Sequence, residues 1–224
     1  MCFPHAGGSA SFFRDWADGF GPHVEVVAVQ YPGREDRLVE PHLVEVDELV
    51  DPLVTALSAA ADRPTTLFGH SMGAAIAYEV ARRLEQRRPA ADLRLAVSAR
   101  PAPHRHRPGS VHLRDDEGIL AELRRLGGTD AAVLDNPELR ALTTGIVRND
   151  YRLIENYRPG AGPRLRMPVL ALAGDRDPDL PPEEVLGWAE VAAGGFRHRV
   201  FPGDHFYLVP RRAEVAAELA RHLG

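Results

Sequence analysis

Residues 65–84 read Thr-Thr-Leu-Phe-Gly-His-Ser-Met-Gly-Ala-Ala-Ile-Ala-Tyr-Glu-Val-Ala-Arg-Arg-Leu. The first four form a short apolar, β-branched run of the kind that makes a buried strand. From Ala74 onward the apolar residues recur at helical spacing. Between the two patterns stands Gly69-His70-Ser71-Met72-Gly73, a match to G-x-S-x-G in its required strand-to-helix setting. The chemistry explains the residue types. A serine on so tight a turn projects its hydroxyl above the sheet, and small flanking residues avoid clashes with neighbouring elements. The turn also leaves the Met72 amide at a helix N-terminus, where it faces developing negative charge.

Working outward, further apolar runs at 24–30 (VEVVAVQ), 93–98 (LRLAVS), 168–173 (PVLALA) and 197–201 (RHRVF) read as strands. Their near-continuous apolar character predicts a parallel sheet covered on both faces. Amphipathic helices are expected at 47–60, 74–88, 182–192 and 211–223. Alternation of this kind implies an α/β protein with a mostly parallel, doubly wound sheet. Residues 101–163 break the alternation. They open with the loop PAPHRHRPGS and continue with helical patterns at 115–126, 137–143 and 146–157. We read them as a helical lid insertion within one domain spanning 1–224. Cys2-Phe3-Pro4 reads as the end of a strand that opens a loop, so a native segment is expected ahead of residue 1.

Composition narrows the chemistry. Of 224 residues 44% are hydrophobic and 26% charged, which excludes global disorder. The net charge of −5 offers no overall basic surface for nucleic acid. All 27 Lys+Arg positions are arginine, so Schiff-base, P-loop and general-base lysines are excluded. The single cysteine, Cys2, excludes an internal disulfide framework and a Cys-rich zinc site. No apolar run reaches the ~18–20 residues of a membrane span, and the N-terminus lacks signal-peptide character. The expectation is a cytoplasmic protein without membrane attachment, a monomer by default.

A serine nucleophile needs a base, and the base an orienting acid, in the chain order Ser…Asp/Glu…His for this topology. Of the late histidines, His198 falls inside a strand pattern and His222 inside the last helix. His205 falls in Pro202-Gly203-Asp204-His205, a turn directly after the last strand. The acid belongs in Gly174-Asp175-Arg176-Asp177-Pro178, after the preceding strand. Both Asp175 and Asp177 qualify by position. Asp177, just before a proline that fixes the turn, is preferred, and Asp175 remains the alternative. The Gly-rich stretch Pro4-His5-Ala6-Gly7-Gly8 suits a second oxyanion donor, the Ala6 N–H, with His5 packing beside it. His104, His106 and His112 lack zinc-site spacing to a Cys or carboxylate, so no metal is expected.

With these residues in place, the chain resembles the type II (editing) thioesterases of polyketide and nonribosomal peptide biosynthesis, within the α/β-hydrolases. The likeness rests on FPHAGGSASFFRDW (3–16), VQYPGREDR (29–37), FGHSMGAAIAYEVARRL (68–84) and SARPAP (98–103). LRRLGGTDAAVLDNPEL (123–139), VRNDYRLIENY (147–157) and FPGDHFYLV (201–209) complete it. The resemblance implies Ser71 as nucleophile, Asp177 as acid, His205 as base, and oxyanion amides at Ala6 and Met72. It implies hydrolysis of acyl groups from the phosphopantetheine arm of acyl or peptidyl carrier proteins, with no metal or bound cofactor. Two departures stand out: members usually carry about a strand's worth of additional N-terminal residues, and Asn149 replaces an expected small residue in the insertion. The Arg82/Arg83/Arg87/Arg88 and Arg105/Arg107 clusters are candidates for attracting an acidic carrier protein. A general carboxylesterase and a noncatalytic binding protein on the same scaffold are the rival readings.

Overall fold

The computed structural model describes residues 1–60, 62–127, 136–160 and 162–224. Among the described residues, five parallel strands form one sheet in the order β1 (Cys2–Phe3), β2 (Thr65–His70), β3 (Leu93–Ser98), β4 (Val169–Gly174) and β5 (Phe196–Phe201). Register places Phe3 opposite Gly69 and His70 opposite Ser98, so the strand ends that carry functional loops are level.

Side chains along each strand alternate between two cores. Leu67, Leu95, Val97, Val169 and Ala171 join one cluster, covered by α1 (Val46–Ala60) and α2 (Met72–Arg87). Phe68, Ala96, Leu170 and Leu172 join the other, covered by the 3-10 segment Ala10–Gly19 and by the C-terminal helix Arg212–Leu223. Period-2 alternation with apolar residues on both faces is what a sheet sandwiched between helix layers requires. The doubly wound α/β architecture therefore stands as expected.

Three details differ from the expected elements. Residues 24–30 form no strand: the run meets β1 at a single bridge, Cys2 to Ala28, through two backbone hydrogen bonds. A two-residue β1 offers no further partners for its ladder. β5 is not covered on both faces, since several of its residues are exposed at the sheet edge. The helix expected over 182–192 is a 3-10 segment, Pro182–Glu190.

Between β3 and β4 the chain is helical. α3 (Asp116–Leu126) is capped by the Asp115 carboxylate, which accepts from the Gly118 N–H at 2.9 Å, and ends at left-handed Gly127. α4 (Pro137–Asn156) starts with an Asn136 cap and a proline at its first position. The sequence pattern splits this span into two helices, whereas the structure has one. Gly145 costs a helix only ~1 kcal/mol, and the buried stripe Thr144, Val147, Ile154 runs on through it. Val147 packs with Val111, Ile119, Leu120 and Leu123 in a small core of the insertion's own. The part of the 123–139 motif at 128–135 lies outside the described residues. The final helix is α5 (Arg212–Leu223). Among the described residues no helix is long and apolar enough to cross a membrane.

Candidate active site

Ser71 occupies the turn between β2 and α2 with φ 54° and ψ −118°, a conformation that costs a non-glycine residue about 1–3 kcal/mol. Packing holds it there. A Cβ on Gly69 would stand 2.0 Å from the Gly73 carbonyl oxygen, and one on Gly73 would stand 2.0 Å from that of Phe3. Only glycine lets β1, β2 and α2 approach so closely. The Ser71 N–H donates to the Ser98 carbonyl at 2.8 Å, tying the turn to β3. Its hydroxyl makes no capping bond to α2.

The loops after β4 and β5 meet beside this turn. His205 and Asp177 are both buried, and the His205 Nδ1 lies 2.9 Å from Asp177 Oδ2 and 3.0 Å from Oδ1. Asp177 Oδ1 also accepts from the Asp179 N–H at 2.9 Å, so the carboxylate is held by its own loop. Asp175 does something else. Its Oδ1 accepts from the Gly203 N–H at 2.8 Å, joining the two loops at a half-exposed position. The His205 Nε2 is buried without a hydrogen-bond partner among the described residues. The His205 ring lies 5.1 Å, centroid to centroid, from that of His70, the residue before Ser71. The Asp177–His205 pair thus lies beside the residue that precedes Ser71, at the carboxyl edge of the sheet. His198 lies on β5 and His222 is held on α5, where it meets the Leu95 carbonyl.

The Gly-rich loop after β1 closes the other side. The Ala6 N–H has no hydrogen-bond partner among the described residues, and neither has the Met72 N–H at the start of α2. His5 is buried and packs edge-on against Phe12 and Phe206. Burial, reinforced by the nearby His205 and Arg34, pushes its pKa down to about 3. Burial likewise holds His70 well below the usual histidine range, with His205 and His5 adding to it. Both rings are neutral at physiological pH.

Sequence reasoning missed a polar shelf beneath the site. His70 Nδ1 lies 2.9 Å from Ser98 Oγ, which lies 2.6 Å from the Tyr207 hydroxyl. It also missed a buried ion pair, Arg34 with Asp150, against the Gly-rich loop. Both residues fall inside quoted motifs (YPGRE and VRNDY), but 116 positions separate them and no local spacing links them. Asn149 has a defined role: its Nδ2 donates to the Leu43 carbonyl at 2.9 Å.

A cavity of about 480 Å³ opens between the insertion and the loop after β4. Arg100, Tyr151, Ile154, Glu155 and Asp179 are among its walls. His104, His106 and His112 go to three separate partners, Glu190, Arg100 and Glu155. The arginine clusters are largely engaged by the protein's own carboxylates. Arg82 pairs with Glu79, Arg83 with Asp47 and Asp51, Arg88 with Asp62, Arg105 with Glu190 and Arg107 with Glu184.

A parallel sheet that delivers a strained serine, a buried Asp–His pair and two free amides to one edge defines the class as an α/β-hydrolase. Comparison with known proteins narrows it. The thioesterase domain family matches residues 1–223, and the chain belongs to that family. It is 44% identical over its whole length to a probable cadicidin biosynthesis thioesterase of Streptomyces griseus, of which it spans 62%. It is 43% identical to the thioesterase PikA5 of Streptomyces venezuelae, covering 100% of this chain and 80% of PikA5. The solved structure of the type II thioesterase BorB from the borrelidin biosynthetic cluster superposes with a TM-score of 0.91 at 46% identity. That superposition covers 100% of this chain and 91% of BorB. The resemblance to type II thioesterases drawn from the sequence therefore extends over the full chain.

Proposed function

We propose that the chain is a serine thioesterase that releases acyl groups from the phosphopantetheine arm of acyl or peptidyl carrier proteins. Its role would be editing in polyketide or nonribosomal peptide synthesis. The reading is supported by the buried Asp177–His205 pair packed beside His70, the neighbour of strained Ser71, in a chain whose relatives are thioesterases. Ser71 Oγ attacks the thioester carbonyl while His205 Nε2 takes its proton. Asp177 holds the Nδ1–H and stabilises the imidazolium that forms. The Ala6 and Met72 N–H groups receive the oxyanion. Collapse expels the thiolate, which leaves with the proton from His205. Water, deprotonated by His205, then attacks the acyl-serine and frees the acid. No step calls on a metal or cofactor.

We infer that the helical insertion between β3 and β4 acts as a lid over this site. A single domain, a monomeric state and a cytoplasmic location belong to the same proposal.

The test compares the protein with its Ser71→Ala variant on an acylated carrier protein and on a simple aryl ester, followed by mass spectrometry. Deacylation of the carrier, lost in the variant, is the expected result. Rapid ester cleavage with the carrier left acylated would instead identify a general carboxylesterase.

A further inference from the structure

Arg34 and Asp150 take no part in the steps above, yet they grip the loop that carries Ala6. Both are almost fully buried, at 4% and 2% exposure. Arg34 donates from Nη1 to Asp150 Oδ2 at 2.7 Å and from Nη2 to Oδ1 at 2.8 Å, a two-pronged pair. The same Oδ2 accepts from the Gly7 N–H at 2.7 Å. Arg34 Nη1 also donates to the Gly8 carbonyl at 2.9 Å. One charged pair thus holds two consecutive glycines of the loop.

The local geometry gives that grip a specific effect. The Gly8 N–H donates to the His5 carbonyl at 2.9 Å, closing a β-turn with Ala6 and Gly7 at its centre. Of these two, only Gly7 has positive φ, at 79°, which marks a type II turn. The peptide between Ala6 and Gly7 is the unit whose orientation separates type II from type I. Asp150 accepts the N–H of that peptide. Turned over, the peptide would aim the Ala6 carbonyl oxygen at a carboxylate. Val147, three residues earlier on α4, seals the arrangement: a Cβ on Gly7 would lie 2.6 Å from its Cγ2. A buried ion pair adds little net stability compared with apolar residues of the same size. Geometry is what this pair supplies.

We propose that Asp150, held by Arg34, is a positioning residue that fixes the His5–Gly8 turn: with Gly7 and Gly8 held in place, the Gly8 N–H bond to the His5 carbonyl orients the His5–Ala6 peptide, and that peptide carries the Ala6 N–H. The inference rests on Ala6 as an oxyanion donor in the proposed reaction.

The experiment measures kcat and KM of the Arg34→Met/Asp150→Leu double variant on an aryl ester and on an acylated carrier protein. The variant removes the pair without stranding a charge, but it leaves the Gly7 N–H and the Gly8 carbonyl without these partners, so it is expected to fold and to melt below the parent. Loss of one oxyanion donor predicts a fall in kcat of roughly 10²-fold with KM little changed. Affinity for an arylboronic acid, which forms a tetrahedral adduct on Ser71, should fall in parallel. A folded double variant with parental kcat and boronate affinity overturns the proposal, as does a loss confined to KM. Should the double variant fail to fold, Asp150→Asn replaces it. There the expected loss in kcat is about tenfold, and parental kcat is the overturning result. The ¹⁵N-labelled Gly7 amide gives a readout that needs no turnover. In Asp150→Asn its proton should move upfield and exchange faster, and an unchanged resonance counts against the proposal. If the parent cleaves the ester but not the carrier thioester, the carrier-protein reading falls, while the ester ratios still judge Asp150.

Discussion

Two aspartates stand two residues apart after β4, and their environments separate them. Asp177 is buried against His205 Nδ1, whereas Asp175 bonds a backbone amide of the neighbouring loop. Asn at 177 keeps the shape but presents an amide to the imidazole and favours the wrong tautomer. Asp177→Asn should therefore lower kcat by about 10³–10⁴-fold. Asn at 175 still accepts from Gly203, so Asp175→Asn should keep activity within about threefold and cost at most ~1 kcal/mol. Steady-state kinetics on the two variants check this, and a reversed order would reassign the acid. The strain at Ser71 belongs to this scale too. Its positive φ is maintained because Gly69 and Gly73 let three elements close around it.

At the scale of elements, α4 is the piece that sequence patterning divides and the structure joins. Gly145 is exposed, has ordinary φ, and a Cβ there would meet nothing within 4 Å. Gly145→Ala should therefore stabilise the protein by about 0.5–1 kcal/mol, with activity unchanged. The urea midpoint at neutral pH measures it; no gain, or a loss, would mean the helix is not continuous there. The same helix presents Val147 and Asp150 to the Gly-rich loop, one helical turn apart on one face. A continuous α4 therefore connects the insertion's own core to the proposed oxyanion loop.

For the whole molecule, the buried histidines link folding to pH. His5 titrates at about 3 and His70 well below the usual range, chiefly because burial disfavours the charged ring. In the unfolded chain both return to ~6.5. Between about 3 and 6.5 the unfolded state therefore binds more protons, so stability falls as pH drops through that window and is unaffected above it. His5 contributes a slope of roughly 1.4 kcal/mol per pH unit there, and His70 acts in the same direction. Urea midpoints at several pH values below 6.5 should show a shallower slope in His5→Gln than in the parent, by about one ring's share. Equal slopes would refute the assignment of His5 as a buried neutral ring. The charge distribution also belongs to this scale. The arginines of the two clusters, candidates for attracting an acidic carrier protein, are mostly paired with the protein's own carboxylates.

What the sequence determined by itself was what local pattern encodes. The β2–Ser71–α2 turn, four of the five predicted apolar runs as strands, the first, second and last helices, and the short list of late histidines and aspartates were all legible. Each rests on periodicity, on turn residues or on the chain order of a known chemistry. Only the tertiary structure decided which aspartate faces His205, because Asp175 and Asp177 lie in one turn and differ in what packs against them. It also decided that residues 24–30 make one bridge, since pairing depends on the partner strand's length. The Arg34–Asp150–Gly7 grip is the clearest case. Its three members sit in separate motifs, and a contact between residues 116 positions apart exists only once the sheet has brought their loops to the same edge.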